Sequence, residues 1–256
     1  MARNQKDYFY HKAKNEGYRS RASYKLDQIN KKHNVIKAGD SVVDLGAAPG
    51  GWLQMAKELS GGRVVGVDLQ KIKPIDGVET IKGDITRDTT LNKIEEIIGE
   101  HGADVVICDA APNLTGSWDL DHGRSIALSE SALAIAKKLL RPGGNFVVKV
   151  FQGDMFKDFL DEAKENFVYL RSFTPRASRK ESAEIYVIGK KFLSTLIKKG
   201  QEYDVDILEI GDQGDGITRV GDFVVFVPDT KLGQHIRVRI TDVKPNFAFA
   251  DIIEIG

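Results

Sequence analysis

Short apolar runs alternate with segments of helical apolar spacing over residues 1–190. This alternation is typical of an α/β domain whose mostly parallel sheet is covered by helices on both faces. The last two apolar runs are separated by a basic loop instead of a helix, so we expect the last strand to be antiparallel. The predicted strands are Ser41–Asp44, Arg63–Asp68, Val78–Asp84, Asp104–Asp109, Asn145–Phe151, Val168–Phe173 and Glu184–Ile188. The predicted helices are a segment starting at Ser20, with Ser20 or Ser23 as its cap, and Trp52–Leu59, Asp88–Ile98, Ile126–Leu140 and Asp154–Asn166.

The pattern changes after Lys190–Gly200, which we interpret as a linker or a short helix. Short runs of alternating apolar residues follow, separated by Gly, Asp and Pro, and this predicts a small all-β barrel. We therefore divide the chain into residues 1–190 and 191–256. The runs of the second part are Glu202–Ile210, Asp222–Val227, His235–Val243 and Ala248–Ile255.

The stretch Val42–Trp52 (VVDLGAAPGGW) combines a strand, a glycine-rich turn and the start of a helix. Such a turn forms the ligand crevice at the carboxyl ends of the strands in an open α/β sheet. Gly46 and Gly50 do not have the spacing of a dinucleotide fingerprint, and Pro49 has no N–H to offer a pyrophosphate. A nucleoside ligand without a diphosphate fits better, and S-adenosylmethionine is the common one. The alternative is that the glycines only allow the backbone to turn and bind no ligand.

Four carboxylates follow predicted strands. Asp44, Asp68 and Asp109 each stand where a strand ends, so strand-order logic brings them to one crevice. Asp68 is well placed to accept hydrogen bonds from ribose hydroxyls, and Asp84 is placed to meet an adenine edge. The alternative for each is a helix cap or a turn former.

Lys149 lies inside the apolar run Phe146–Phe151. A buried charge is costly unless it is paired or neutral, and Glu184 at the start of the last strand is similarly desolvated. One interpretation is a structural ion pair between Lys149 and Glu184. The other adds Lys25 and Asp109 and makes a polar cluster beside a methyl donor.

Composition places the 256-residue chain among globular proteins, with 41% apolar and 29% charged residues. A single cysteine, Cys108, excludes a disulfide framework, and its apolar surroundings favour a buried thiol over a nucleophile. No apolar stretch approaches the ~20 residues that span a bilayer, and the N-terminus lacks an apolar signal region. We expect a cytoplasmic protein, a monomer, with no metal site and no membrane contact.

The formal net charge of zero conceals an asymmetry. Residues 201–256 hold five basic and eleven acidic residues, a net charge of −6, so residues 1–200 carry +6. Residues 1–25 hold seven basic and two acidic residues, interleaved with the aromatics Tyr8, Phe9, Tyr10, Tyr18 and Tyr24. Basic side chains neutralise phosphates and aromatic rings stack on bases, so this segment favours a nucleic-acid partner. The alternative is a solvated N-terminal arm.

Five motifs together resemble the RlmE/FtsJ family of ribosomal RNA 2′-O-ribose methyltransferases over roughly residues 8–190. The family resemblance implies a catalytic tetrad at Lys25, Asp109, Lys149 and Glu184. It also implies S-adenosylmethionine contacts at Gly50, Trp52, Asp68, Asp84 and Asp109, to which we add Asp44 and Gly46 from the turn itself. The motifs are Ser20–Leu26, Asp44–Trp52, Asp109–Asn113, Val148–Phe151 and Arg176–Ser182 leading into Glu184.

The resemblance implies methylation of a uridine in the 23S RNA of the large ribosomal subunit. In our hypothesis Lys149 accepts or steers the 2′-hydroxyl proton, either as a neutral base or as an orienting cation. Lys25 and Glu184 orient the ribose. The rivals are a methyltransferase that acts on a small molecule, an mRNA cap or tRNA, and a non-catalytic RNA-binding assembly factor.

The tail Leu196–Gly256 resembles a TRAM domain, a small β-barrel associated with RNA binding, and its fusion to this family is typical of archaea. Its net acidity confines RNA contact to a local patch, for which we name Arg237, Arg239, Lys244 and Phe247. A second basic surface is expected in the first domain, from Arg171, Arg176, Arg179 and Lys180.

Overall fold

The computed structural model describes residues 8–179, 182–193, 197–220, 223–244 and 247–255. Contacts within the chain divide it into two compact units, residues 1–190 and 191–256. The predicted Lys180 of the basic loop lies outside the described residues. Among the helices of the described ranges, none is long and apolar enough to cross a membrane.

The first unit contains a seven-stranded sheet in the order β3-β2-β1-β4-β5-β7-β6. The pairs β1–β2, β1–β4, β2–β3 and β4–β5 are parallel, whereas β7 runs antiparallel to β5, as predicted for the last strand. The strands are β1 (Val42–Leu45), β2 (Val64–Asp68), β3 (Glu79–Lys82), β4 (Ala103–Cys108), β5 (Leu140–Phe151), β6 (Phe167–Phe173) and β7 (Glu184–Phe192). The helices are α1 (Tyr8–Asn15), α2 (Ser23–His33), α3 (Gly51–Ser60), α4 (Asp88–Ile98), α5 (Trp118–Leu139) and α6 (Phe156–Lys164).

One part of the core of this unit lies between the sheet and helices α2 and α3. All four residues of β1 are buried, as expected for a central strand. Leu26 of α2 and Leu53 of α3 share one apolar cluster with Val147 of β5 and Tyr186 of β7. Helix α3 approaches the sheet so closely that a Cβ on Gly66 would lie 2.5 Å from Leu53. This packing fixes the turn that joins β1 to α3.

Several element boundaries differ from the sequence prediction, and three of them lie close to the site. Strand β5 begins at Leu140, five residues before the predicted Asn145, and residues 141–144 form an irregularity in its pairing with β4. Helix α5 begins at Trp118, eight residues before the predicted Ile126, in a segment whose Asp, His and Gly residues hide the apolar period. Helix α2 begins at Ser23, but neither predicted serine caps it, because the hydroxyl of Ser23 donates to the carbonyl oxygens of Ser20 and Gly51.

The N-terminal segment is helical from Tyr8, and its aromatics are not equivalent. The buried Tyr24 packs against Phe9 and Tyr18 and donates a hydrogen bond to Glu16 at 2.6 Å. Tyr18 donates to Glu58 at 2.5 Å. Of the five aromatics predicted to stack on bases, all of them in the described part of the chain, only Tyr8 and Tyr10 are exposed. The segment is therefore a packed part of the domain, and two of its tyrosines serve the core.

The second unit is a curled six-stranded sheet in the order β8-β12-β13-β11-β10-β9, whose curvature brings β8 near β10. Burial alternates along β11 and along most of β12, as in a barrel wall with one face inward. The inward residues form a single apolar cluster that includes Val225, Val238 and Ala250. The prediction missed β10 and joined β8 to β9. The strands are β8 (Glu202–Asp206), β9 (Glu209–Ile210), β10 (Gly216–Val220), β11 (Phe223–Val227), β12 (His235–Val243) and β13 (Phe247–Ile255).

The basic side chains predicted to form an RNA patch on this unit are paired with carboxylates. Arg237 makes two hydrogen bonds with Asp204, of 2.8 and 2.9 Å, and Arg239 contacts Glu202 at 2.7 Å. Both pairs are direct cross-strand neighbours of β12 and β8. Lys244 likewise contacts Asp242 at 2.7 Å. These cations are thus locally neutralised, and the patch expected from the sequence carries little net positive charge.

We expect Gly46→Ala to lower the free energy of unfolding of the first unit by about 1–3 kcal/mol. The residue has φ +74°, and a Cβ there would lie 2.5 Å from the Cβ of Ala110. Urea denaturation followed by circular dichroism measures the change. The matched control is Gly17→Ala, at φ +79° with no atom within 4 Å of the new Cβ. Equal losses in the two variants would contradict a role for close packing at Gly46.

Candidate active site

The turn between β1 and α3 is held open by its own glycines and by one arginine. Gly50 is the N-terminal cap of α3 and has φ +106°, a conformation that favours glycine. The guanidinium of Arg19 donates to the carbonyl oxygen of Pro49 at 3.2 Å and to those of Lys73 and Pro74 at 2.6 Å each. Arg19 therefore ties the turn after β1 to the loop after β2. Sequence reasoning missed this contact, because nothing in the local pattern links Arg19 to residues 54 positions away.

A cavity of about 180 Å³ lies beside this turn. It brings together the predicted Asp44, Gly46, Trp52 and Asp109. Among the described residues, the predicted Gly50, Asp68 and Asp84 are not part of its wall. The lining consists of Ser20, Ala22, Asp44, Gly46, Ala47, Ala48, Pro49, Gly51, Trp52 and Asp109.

The carboxylates of Asp68 and Asp84 accept hydrogen bonds from backbone amides. Asp68 accepts hydrogen bonds from the amides of Ala48, at 3.0 Å, and Gln70, at 2.7 Å. It therefore also braces the turn after β1. Asp84 accepts from the amide and hydroxyl of Thr86, and these hydrogen bonds lower the pKa of its carboxyl.

Asp44 is a deeply buried carboxylate in the cavity wall. It is 1% exposed, and neither carboxylate oxygen has a hydrogen-bond partner among the described residues. Burial raises the pKa of Asp44 well above its usual range, with smaller contributions from the charges of Asp109 and Asp68. Buried carboxylates normally have partners. The cavity wall thus presents acceptor oxygens that the protein itself does not satisfy.

Lys25, Asp109, Lys149 and Glu184 converge in a single cluster. The ammonium of Lys149 donates to the backbone oxygen of Asp109 at 2.7 Å and lies 3.3 Å from its carboxylate. Glu184 lies between the two lysines, 2.9 Å from the ammonium of Lys25 and 3.9 Å from that of Lys149. The side chain of Lys149 is only 5% exposed, so its charge depends on these partners. The cluster contains two cations and two anions, and Asp109 also lines the cavity beside the turn.

Tyr186 is a member of this cluster that sequence reasoning missed. Its hydroxyl donates to the carboxylate of Asp109 at 2.6 Å. Burial raises the pKa of Tyr186, and the nearby charges of Asp109 and Glu184 raise it further, so the phenol stays protonated and remains a donor. A signal existed in the sequence: Tyr186 is two residues after Glu184 on a strand and therefore shares its face.

Trp52 forms the wall between the cavity and this cluster. Its ring is 3% exposed and lies 5.8 Å from the ring of Tyr186. The indole N–H donates to the carbonyl oxygen of Ala22 at 2.8 Å.

Cys108, at the end of β4, is buried, and burial raises the pKa of its thiol to about 12. The thiol therefore stays neutral, in agreement with the predicted structural role.

A positively charged surface adjoins the cluster. The guanidinium of Arg21 donates to the carbonyl oxygen of Ala177, in the loop between β6 and β7. Burial lowers the pKa of Arg21, and the nearby charge of Arg179 lowers it further while Glu184 opposes the shift. The charges of Arg179 and Glu184 therefore act on Arg21 in opposite directions. Within the described ranges, no group of three or more His, Cys, Asp or Glu side chains is placed to hold a metal ion.

Models of known protein families match both parts of the chain. The family model of FtsJ-like methyltransferases matches residues 18–192, which include the whole cluster. The chain belongs to the FtsJ-like methyltransferase family. The TRAM domain model matches residues 197–253, so the FtsJ-like unit is followed by a TRAM unit.

Two proteins are similar to this chain over almost its whole length, and one solved structure is similar to part of it. A Methanosarcina mazei protein named ribosomal RNA large subunit methyltransferase E is 64% identical over 99% of this chain and 95% of its own length. A protein of the same name from Halorubrum lacusprofundi is 48% identical over 98% and 95%. A crystal structure from Plasmodium falciparum, described provisionally as a ribosomal RNA methyltransferase, is 28% identical with a TM-score of 0.63. It covers 68% of this chain and 98% of that one, which corresponds to the FtsJ-like unit.

We expect the stability of the FtsJ-like unit to fall as pH rises above about 4, the unfolded pKa of an Asp, through the contribution of Asp44. Because the pKa of Asp44 is raised in the folded protein, the folded state keeps a proton at pH values where the unfolded state has lost it. Raising the pH therefore favours the unfolded state. Asp44→Asn removes the titration. The variant should gain stability relative to the wild type as pH rises from about 4 to about 7, measured by urea denaturation. A difference that does not depend on pH would contradict a protonated Asp44.

Proposed function

We propose that this protein transfers a methyl group from S-adenosylmethionine to the 2′-hydroxyl of a uridine ribose in the 23S RNA of the large ribosomal subunit. The observation that carries this proposal is the convergence of Lys25, Asp109, Lys149 and Glu184 within 2.7–3.9 Å beside the glycine-rich turn. The names of the similar archaeal proteins support the choice of large-subunit ribosomal RNA. In this proposal residues 1–190 form the methyltransferase domain and residues 191–256 an RNA-binding domain.

The cavity beside the turn suits a cationic donor. Asp44 and Asp109 line it, and the unsatisfied oxygens of Asp44 favour a ligand that brings positive charge or N–H donors. S-adenosylmethionine has both, and when bound it supplies a methyl group on a positively charged sulfur. We assign Asp44, Gly46, Trp52 and Asp109 to the wall of its site. Gly50 and Asp68 hold the shape of the turn, and Asp84 keeps the adenine-edge role that its sequence position predicts.

Transfer of a methyl group to a hydroxyl releases that hydroxyl's proton, which a group of the chain or water must receive. As a neutral amine, Lys149 is the proposed acceptor, and its Nζ is positioned by the backbone oxygen and the carboxylate of Asp109. In the alternative, cationic form Lys149 donates to the 2′-oxygen and stabilises the charge that develops there, and water takes the released proton. Glu184 holds Lys25 at 2.9 Å, and this pair orients the ribose. Positioning of this kind supplies about 7–11 kcal/mol of barrier reduction in well-aligned reactions.

We expect Lys149→Ala to lower kcat for RNA methylation by about two to four orders of magnitude, because it removes the proton acceptor. Transfer of tritiated methyl groups to large-subunit ribosomal RNA transcripts measures turnover. Calorimetry with S-adenosylmethionine should give nearly unchanged donor affinity, since Lys149 does not line the cavity among the described residues.

The matched control is Lys31→Ala, which removes an exposed lysine paired with Asp27 on α2. It should retain full turnover. Wild-type turnover in Lys149→Ala would remove Lys149 from the reaction. Failure of the wild-type protein to bind S-adenosylmethionine would favour the non-catalytic assembly factor.

We expect RNA affinity to decrease about twentyfold between about 50 and about 200 mM salt if three phosphates are neutralised. Arg21 and Arg179 next to the cluster would supply such contacts. Arg179→Ala should reduce the slope of log affinity against log salt by about 0.7, as measured by fluorescence anisotropy. Lys138→Ala, an exposed residue in the last turn of α5, should leave the slope unchanged. A flat response in the wild type would contradict a phosphate-binding surface.

A further inference from the structure

Trp118 is a large aromatic side chain at the edge of the candidate active site that the proposed mechanism does not use. It is the first residue of α5, and it follows the loop that leads away from Asp109. Its side chain is 49% exposed, although a Trp ring in water forgoes a large hydrophobic stabilisation. A half-exposed tryptophan that packs on Phe151, the strand partner of Glu184, therefore requires an explanation.

Two buried aromatic rings hold the orientation of Trp118. Its ring lies nearly parallel to that of His122, at 5.8 Å between centroids and 10° between planes. It also lies nearly parallel to Phe151, at 6.4 Å and 11°. His122 and Phe151 are only 5% and 8% exposed. The indole is thus held in one orientation by rigid neighbours while half of its surface remains open.

The register of the sheet places this stack next to the cluster of ionisable groups. Lys149 and Phe151 are two residues apart on β5 and point to the same face of the sheet. Phe151 is the direct cross-strand partner of Glu184, just as Lys149 is the partner of Tyr186. Lys149, Phe151, Glu184 and Tyr186 therefore share one face at one end of the β5–β7 pair. Trp118 stacks on the outermost aromatic residue of this face.

We propose that Trp118 is a positioning residue that stacks on an unpaired base of the RNA substrate, at or next to the methylated nucleotide. This inference rests on the proposed function. An enzyme that acts on a ribose must hold its nucleotide in one orientation, and a base that is out of its helix binds by stacking on an aromatic ring. Trp118 carries no charge, so it complements the phosphate contacts expected from Arg21 and Arg179.

Kinetic measurements on three variants test whether Trp118 is a stacking platform for a base. Trp118→Ala should raise the KM for RNA about tenfold or more, the effect of removing one base–aromatic contact. Trp118→Phe keeps a ring and should recover most of this loss. The matched control is Leu120→Ala, which removes a 56% exposed apolar side chain from the same turn of α5 without removing a ring. It should leave the KM nearly unchanged, and an equal loss in Leu120→Ala and Trp118→Ala would overturn the stacking role.

Salt dependence separates stacking from both electrostatic and purely structural effects. Trp118→Ala should weaken binding at every salt concentration and leave the slope of log affinity against log salt unchanged, because no phosphate contact is lost. Thermal unfolding of the variant should match the wild type closely enough that the protein is fully folded at the assay temperature. A changed slope would overturn the proposal in favour of a disturbed basic surface.

Tryptophan fluorescence provides a direct reading of the contact. The chain has two tryptophans, and Trp52 is only 3% exposed, so quenching by a soluble polyanion reports mainly on Trp118. Single-stranded oligouridylate should quench the wild-type emission, and inorganic polyphosphate, which has charge but no bases, should not. Trp118→Phe should lose the quenching. Quenching by both polyanions would overturn the assignment to a base.

A combination of variants distinguishes failure of this inference from failure of the proposed function. Lys149→Ala should lose methyl transfer and retain the quenching by oligouridylate. If the wild type methylates RNA and Trp118→Ala does so with unchanged KM, the platform is wrong and the function stands. If the wild type transfers no methyl group but oligouridylate quenches Trp118, the function is wrong and the platform stands.

Discussion

Mutual compensation of charge between Lys25, Asp109, Lys149 and Glu184 is the interaction on which the candidate site depends. The side chain of Lys149 is 5% exposed, and an ammonium that is so desolvated would be unfavourable without the two oxygens of Asp109 that it contacts. Glu184 is shared between the two lysines, so no member of the cluster can be removed without leaving a buried charge unbalanced. The hydroxyl of Tyr186 adds a neutral donor to Asp109 and fixes its carboxylate. The contacts that balance the charges therefore also fix the positions of these side chains.

The direction of a single strand makes this compensation possible. In a parallel sheet the carboxyl ends of the strands meet at one edge, which brings Asp109 and Lys149 together. Glu184 is the first residue of its strand, and in a parallel strand it would lie at the opposite edge. Because β7 is antiparallel to β5, Glu184 lies opposite Phe151 at the functional edge. The reversal of the last strand is thus part of the site as well as of the fold.

Much of this arrangement follows from local sequence patterns. The order of strands and helices, the antiparallel β7 and the turn at Gly46–Gly51 follow from apolar periodicity and glycine spacing, because those patterns act over a few residues. The early start of α5 does not, since Trp118 packs on Phe151 from another element. The hydrogen bonds of Arg19 to the loop after β2 and of Tyr186 to Asp109 likewise depend on the tertiary fold. Composition indicated the N-terminal aromatics as a stacking surface, yet Tyr18 and Tyr24 donate hydrogen bonds to Glu58 and Glu16 inside the domain.

The distribution of charge assigns different physical tasks to the cations of the two units. In the TRAM unit Arg237 and Arg239 are matched in register with Asp204 and Glu202, so they stabilise the pairing of β12 with β8. A cation that is already neutralised releases few counterions when it meets a phosphate. In the FtsJ-like unit the charges of Arg21 and Arg179 repel each other, and bound negative charge would reduce that repulsion. In the proposed function, the electrostatic attraction of RNA is therefore expected mainly from the first unit, even though the chain as a whole has no net charge.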